Sequence, residues 1–194
     1  RKSANRRECF QPCIREYLII DEEGNELKLG NNYVLSPKDL CCLPFIDRLI
    51  KAGIDAFKIE GRNRSPEYVK TVTEAYRQAI DSGFKQELIE KVKSVYNRGF
   101  SSGFYLGLKP DDWAGVYGSK ATKRKRYVGY VKHYYNRIGV AEIKLEAGGL
   151  RIGDSLMIQG NTTGVFEQIV ESMEIDHKKM DGVAKGELVA VKVN

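Results

Sequence analysis

The chain has no cysteine beyond Cys42, and only two histidines and one tryptophan in 194 residues. Each shortage excludes something. No apolar run nears the ~20 residues that a membrane-spanning helix needs, so no such helix is expected. The opening RKSANRREC lacks the apolar centre of a secretory signal, and a cytoplasmic location is expected. His133 and His177 lie far along the chain from all four cysteines, which argues against a Cys2His2 metal site. H-E-x-x-H is missing, and with it the zinc-protease signature. One absence is local: no Asp or Glu occurs from Trp113 to Ala141.

What is present is a globular composition, 42% apolar and 30% charged, with net charge +6. That length accommodates one large domain or two small ones. The acid-free stretch carries Lys120, Lys123, Arg124, Lys125, Arg126, Lys132 and Arg137, interleaved with Tyr117, Tyr127, Tyr130, Tyr134 and Tyr135. Cations over a phosphate backbone, with rings free to stack on bases, are what RNA binding requires. A solvated linker followed by the exposed face of a strand accounts for the same composition equally well.

Two halves differ in pattern. CIREYLIID and NNYVLS read as strands around the polar turn Glu22–Asn25. Ser36-Pro37 reads as the start of a helix, with Leu40, Leu43, Ile46, Leu49 and Ile50 on one face and Pro44 as a kink. Ile54 to Ile59 reads as a buried strand. Ser65-Pro66-Glu67 opens a second helix that Gly83 ends, and a third is expected over 85–97. Helix, strand and helix in alternation suggest part of a parallel α/β domain. After about Arg126 the period becomes two, with glycine-rich turns between five or six short strands, the pattern of a small closed β-barrel. The expected organisation is an α/β domain over 1–110, a basic linker over 111–125 and a β-barrel over 126–194.

Two constellations could carry chemistry. Cys9 and Cys13 form C-x3-C, and Cys41 and Cys42 are adjacent. Clustered thiolates bind zinc or an iron–sulfur cluster, and C-x3-C suits a cluster better than the zinc-knuckle C-x2-C. Side chains of adjacent cysteines diverge, so one of Cys41 and Cys42 would be a ligand and the other core. Small buried hydrophobes are the alternative for all four. In FKIEGR, Lys58 and Glu60 would share one side of a strand. Glu60 could act as a base, with Lys58 as its partner or as a carboxylate clamp and Arg62 as an anion ligand. A buried structural salt bridge between Lys58 and Glu60 is the competing explanation.

SANRRECFQPC, LSPKDLC, FKIEGRNRSPEYV, YRQAID and NRGFSSGFY together resemble the collagenase-like peptidase family U-32, through most of residues 3–105. VGYV and LRIGDSLMI resemble that family's C-terminal module, a barrel similar to domain two of elongation factor Tu. The resemblance implies a TIM-like main domain. Some members are labelled proteases. Others hydroxylate transfer RNA uridine or large-subunit ribosomal RNA cytidine and depend on iron–sulfur and prephenate pathways. It also implies a four-iron four-sulfur cluster in the full-length protein, with Cys9, Cys13 and Cys41 as ligands and Cys42 the poorer candidate. The implied partner is RNA, with a protein substrate as the peptidase alternative. Members carry a longer stretch before SANRREC, and a TIM barrel typically takes ~250 residues. The chain therefore reads as a C-terminal fragment, inactive alone, with an incomplete cluster and a broken sheet edge that a second copy would cover.

Overall fold

The computed structural model describes Pro12 and residues 15–29, 37–107, 112–116 and 118–193. It contains helices and sheets in two compact units, Arg1–Lys123 and Arg124–Asn194.

In the first unit, β1 (Tyr17–Ile20) and β2 (Glu26–Leu29) pair as an antiparallel hairpin, Tyr17 opposite Leu29 and Ile20 opposite Glu26. Asp21 organises the turn. Its Oδ1 accepts the backbone N–H groups of Glu23 and Asn25 at 3.0 and 2.8 Å. Oδ2 accepts from the Asn25 side chain at 2.8 Å. The Asn25 side-chain bond, above all, holds the Asp21 carboxyl below its usual range. The second strand thus follows the turn directly; the strand expected over NNYVLS lies outside the described residues.

The helix expected from Ser36-Pro37 does not form there. Pro37 bridges to Trp113, and β3 (Asp39–Leu40) runs parallel to β4 (Phe100–Ser101). The Asp39 and Cys41 N–H groups donate to Gly99 O and Ser101 O, each at 2.9 Å. These long-range bonds commit the backbone to a ladder before a helix can claim it. Helical structure starts later, with a 3-10 turn at Leu43–Phe45 leading into α1 (Ile46–Lys51). Pro44 sits in the first turn of that segment, where its missing N–H costs nothing, so it starts the helix rather than kinking it.

Ile54 to Ile59 is also not a strand among the described residues. Its alternation survives: Phe57 and Ile59 pack against the core while Lys58 and Glu60 are exposed. A strand needs a ladder partner as well as a pattern, and no described residue supplies one. The next element, α2 (Pro66–Ser82), follows its sequence signals, from Pro66 at the first turn to Gly83 at φ 81°. It packs Val72, Ala75 and Ala79 against Leu88, Ile89 and Val92 of α3 (Gln86–Lys93). α3 stops short of residue 97. The buried Asn97 side chain donates to the carbonyls of Lys93 and Val95 at 3.1 and 2.9 Å. It satisfies helix-end acceptors and turns the chain.

In the second unit, β5 (Gly129–Tyr135) and β6 (Val140–Leu145) are followed by β7 (Leu150–Arg151), β8 (Ser155–Gly160) and β9 (Gly164–Ile169). Then come β10 (Met173–Ile175), β11 (Lys178–Lys179), β12 (Gly182–Val183) and β13 (Leu188–Lys192). Five form an antiparallel sheet in the order β11-β10-β13-β6-β5, while β8 pairs with β9 and β7 with β12. Burial alternates along β6 and β13, so Ala141, Ile143, Leu145, Val189 and Val191 point inward. They meet Leu150, Leu156, Val170, Met173 and Val183 in one apolar core. The strands surround that core, but their ladders do not close into a ring among the described residues. No described helix is long and apolar enough to cross a membrane.

Candidate functional site

Cys9 and Cys13 lie outside the described residues. Cys41 and Cys42 are free thiols, both buried. They diverge into different apolar clusters. Cys41 packs with Leu43, Ile46 and the α2 face; Cys42 packs with Phe45, Leu49, Phe57 and Tyr76. The Cys42 N–H donates to the Tyr76 hydroxyl at 2.8 Å. Burial pushes both thiols and the Tyr76 hydroxyl up, because an apolar setting disfavours the charged form. No three His, Cys, Asp or Glu side chains among the described residues converge on a metal position. The described residues therefore offer two diverging thiols, Cys41 and Cys42, and do not compose a metal site by themselves.

Lys58, Glu60 and Arg62 are exposed. Glu60 Oε1 accepts the Arg62 backbone N–H at 2.7 Å, so this carboxylate shapes its own loop. Lys58 makes no ion pair among the described residues, and neither an acid–base pair nor a buried salt bridge is assembled here.

A polar cluster that sequence reasoning missed gathers around Asp39. Asp39 Oδ1 lies 3.3 Å from Arg64 Nη2 and 3.6 Å from Arg98 Nη2. Its Oδ2 accepts the Arg98 backbone N–H at 2.9 Å. The Arg64 guanidinium stands 4.1 Å from the Tyr96 ring centroid and 5.2 Å from that of Tyr68, a cation–π arrangement. A helix starting at Ser36-Pro37 would put Asp39 in its first turn instead. The signal that could have found it is Arg64, a third cation just past the FKIEGR motif.

In the second unit, Lys123 closes the first unit's sequence and Arg124, Lys125 and Arg126 open the second; all four are exposed. Tyr127, Lys132 and Arg137 are exposed too. The Tyr127 hydroxyl donates to Glu146 Oε2 at 2.6 Å, and that bond raises its ionisation above the usual tyrosine range. Lys132 Nζ reaches Glu142 Oε2 at 4.0 Å. β5 is the edge of its sheet and is exposed on nearly its whole length. Arg126, Arg151 and Asp154 also line a cavity of about 620 Å³ beside Gly149 and Gly182. A Cβ at Gly149 would stand 2.6 Å from Val183 O, so this wall admits only glycine. Two guanidiniums against one carboxylate suit an anion such as a phosphate.

Residues 1–115 match the model of peptidase family U32. A Porphyromonas gingivalis protein named Collagenase is 43% identical over 200 aligned positions, which cover 98% of this chain and 48% of that protein. Escherichia coli tRNA hydroxylation protein P is 29% identical over 164 positions, 79% of this chain and 34% of that protein. The 23S rRNA 5-hydroxycytidine C2501 synthase of Escherichia coli is 40% identical over 81 positions, 42% of this chain and 12% of that protein. The chain spans about half the length, or less, of these curated relatives.

Proposed function

We propose, from the premise that this chain belongs to peptidase family U32, that it serves RNA base hydroxylation and that its second unit docks the RNA. The observation that carries the reading is the exposed cationic and tyrosine-rich edge of β5, with no acidic residue from Trp113 to Ala141. Two relatives named for tRNA hydroxylation and rRNA 5-hydroxycytidine synthesis support the choice of RNA. Such an edge tracks phosphates, so binding must release counterions. If about five phosphates are neutralised, affinity for unfractionated tRNA falls roughly a hundredfold between 50 and 200 mM salt. Titration of the 194-residue chain at several salt concentrations checks this. A flat dependence removes the docking role.

In this reading the first unit is part of a TIM-like barrel and the second a barrel similar to domain two of elongation factor Tu. The parallel β3–β4 pair separated by helices supports the former. Strands arranged around one apolar core support the latter. Cys9, Cys13 and Cys41 would hold a four-iron four-sulfur cluster together with a further ligand, and the cluster would supply redox chemistry. Cys41 then binds through a thiol already shielded from water. For full-length protein purified anaerobically, Cys41→Ser should lower iron and sulfide content well below that of the parent. Unchanged content assigns Cys41 to the core alone. RNA as substrate places the protein in the cytoplasm. The hairpin exposes Leu18, Ile19, Ile20 and Leu27, apolar surface that a second copy would cover; a monomer in sedimentation argues against that.

A peptidase is the second reading, favoured by the 43% identity to the protein named Collagenase. Glu60, with Lys58 and Arg62, would be its catalytic group. No H-E-x-x-H in the sequence supports it. Proteolysis of gelatin by the intact protein that survives Glu60→Gln unchanged removes Glu60 from any such role.

A further inference from the structure

The outer face of β5 carries a feature that phosphate tracking does not need. Side chains of directly paired residues on neighbouring strands lie on the same face. Gly129 pairs with Leu145, Val131 with Ile143 and Tyr134 with Ala141. Those three β6 residues point into the core, so this β5 set lies on the inner side. Tyr130 pairs with Lys144, His133 with Glu142 and Tyr135 with Val140, which places Tyr130, His133 and Tyr135 on the outer side. Strict alternation would have separated Tyr130 from His133 and Tyr135. The register shift between Val131 and His133 is a β-bulge that inserts Lys132 and reverses the phase. It gathers Tyr130, His133 and Tyr135 on one face, opposite the equally exposed Tyr134, and sets Lys132 within 4.0 Å of Glu142 on that same face.

Tyr130 is 49% exposed and Tyr135 44%, much as Tyr134 is on the opposite face at 48%, so these rings are open to a stacking partner. His133 and Tyr135 touch edge to face, with ring centroids 4.4 Å apart, so they form one composite platform and Tyr130 another. Their partners Glu142 and Lys144 lie two residues apart on β6, which separates the platforms by about 7 Å. Bases along one strand of a duplex are only about 3.4 Å apart, stacked on each other and paired. A ligand that lays one base on each platform must have its bases unstacked. On this face Lys132 and Lys144 set two cations against the one carboxylate of Glu142, from which Lys132 stands 4.0 Å, so its charge favours a phosphate chain.

We infer that the bulged outer face of β5 is a stacking platform for unpaired RNA, with Tyr130 and the His133–Tyr135 pair each taking a base and Lys132 the intervening phosphate. The inference rests on the RNA-docking reading and specifies the RNA as single-stranded: a loop, bulge or opened segment. Sequence-tolerant stacking of this kind holds bases without hydrogen-bond readout.

The test uses the 194-residue chain and fluorescently labelled RNA of about 12 nucleotides, a length within the site sizes of single-strand binders. One probe is unpaired and the other is the same strand annealed to its complement. The unpaired probe should bind at least about tenfold more tightly, and Tyr130→Ala and Tyr135→Ala should each weaken it roughly 5- to 100-fold. Tyr130→Phe and Tyr135→Phe should bind like the parent, because the ring and not the hydroxyl stacks. The parent's preference for unpaired over duplex probe needs no variant, so a folding defect in the alanine variants leaves the inference exposed to refutation. Equal or tighter binding of the duplex, or phenylalanine variants as weak as the alanine ones, overturns the platform and leaves RNA docking standing. Absence of binding to either probe overturns both. Displacement of the RNA by an acidic peptide at equal charge concentration overturns the platform by making charge alone sufficient.

Discussion

Replacing Gly129 with valine is expected to detach the start of β5 from β6 and to destabilise the second unit by about 4 kcal/mol or more, in the exceptional range for a single substitution. A Cβ at Gly129 would lie 1.8 Å from Lys144 O, 2.8 Å from Lys144 C and 3.1 Å from Leu145 Cα. All three are backbone atoms of the neighbouring strand, so no side-chain rotation relieves the clash. Relief requires the strands to part, which breaks the Gly129–Leu145 pairing and those beyond it. Leu145 is fully buried, so its displacement also opens the core. Hydrogen exchange should show β5 and β6 amides losing protection while α2 and α3 in the first unit keep theirs. RNA affinity should fall with them, because Tyr127 and Tyr130 flank the displaced residue. A loss of stability under about 1 kcal/mol would mean that β5 is not seated against Lys144 as described.

Gly129 also shows where sequence reading reached and where it stopped. VGYVKHYY announces a strand by its alternation, and it is one. Period-two reasoning places Tyr130 and Tyr135 on opposite faces; the bulge that unites them is fixed by pairing with Glu142, which no local pattern encodes. α2 was legible from both ends because its signals are local: Ser65-Pro66-Glu67 at the start and Gly83 at φ 81° at the stop. β3 was not. It consists of two residues whose partner, Phe100–Ser101, lies beyond α1, α2 and α3. Those long-range bonds override the helix-start chemistry of Ser36-Pro37, and Pro44 then takes the starter role. Among the candidate chemical groups, the divergence of Cys41 from Cys42 was legible because adjacent side chains rarely share a direction. Exposure of the basic run was readable from its charge. The Asp39–Arg64–Arg98 cluster was not readable, since three separate segments must meet to make it.

That cluster carries the second large effect. Asp39→Ala is expected to destabilise the first unit by about 3–5 kcal/mol, the range for breaking one partner out of a shielded ion network. Its side chain is 17% exposed, as is that of Arg64, and Arg98 is 22% exposed, so solvent screens these charges poorly. Removing the carboxylate takes away the negative charge shared by two guanidiniums and the acceptor of the Arg98 backbone N–H. Arg64 keeps its place over Tyr96, which makes the leftover positive charge costlier rather than freer. Asp39→Asn should recover part of the loss, because an amide oxygen still accepts a hydrogen bond but brings no charge. The double variant Asp39→Leu with Arg64→Leu should be more stable than Asp39→Ala, since it removes one of the two guanidiniums together with the carboxylate they share. Urea denaturation followed through Trp113, the chain's single tryptophan and a first-unit residue, reads all three. If Asp39→Ala costs under about 1 kcal/mol, the network is solvated in solution and β3 is held to β4 by its backbone bonds alone. If it costs the full amount and the double variant restores it, the network fixes which segments meet rather than how strongly they hold.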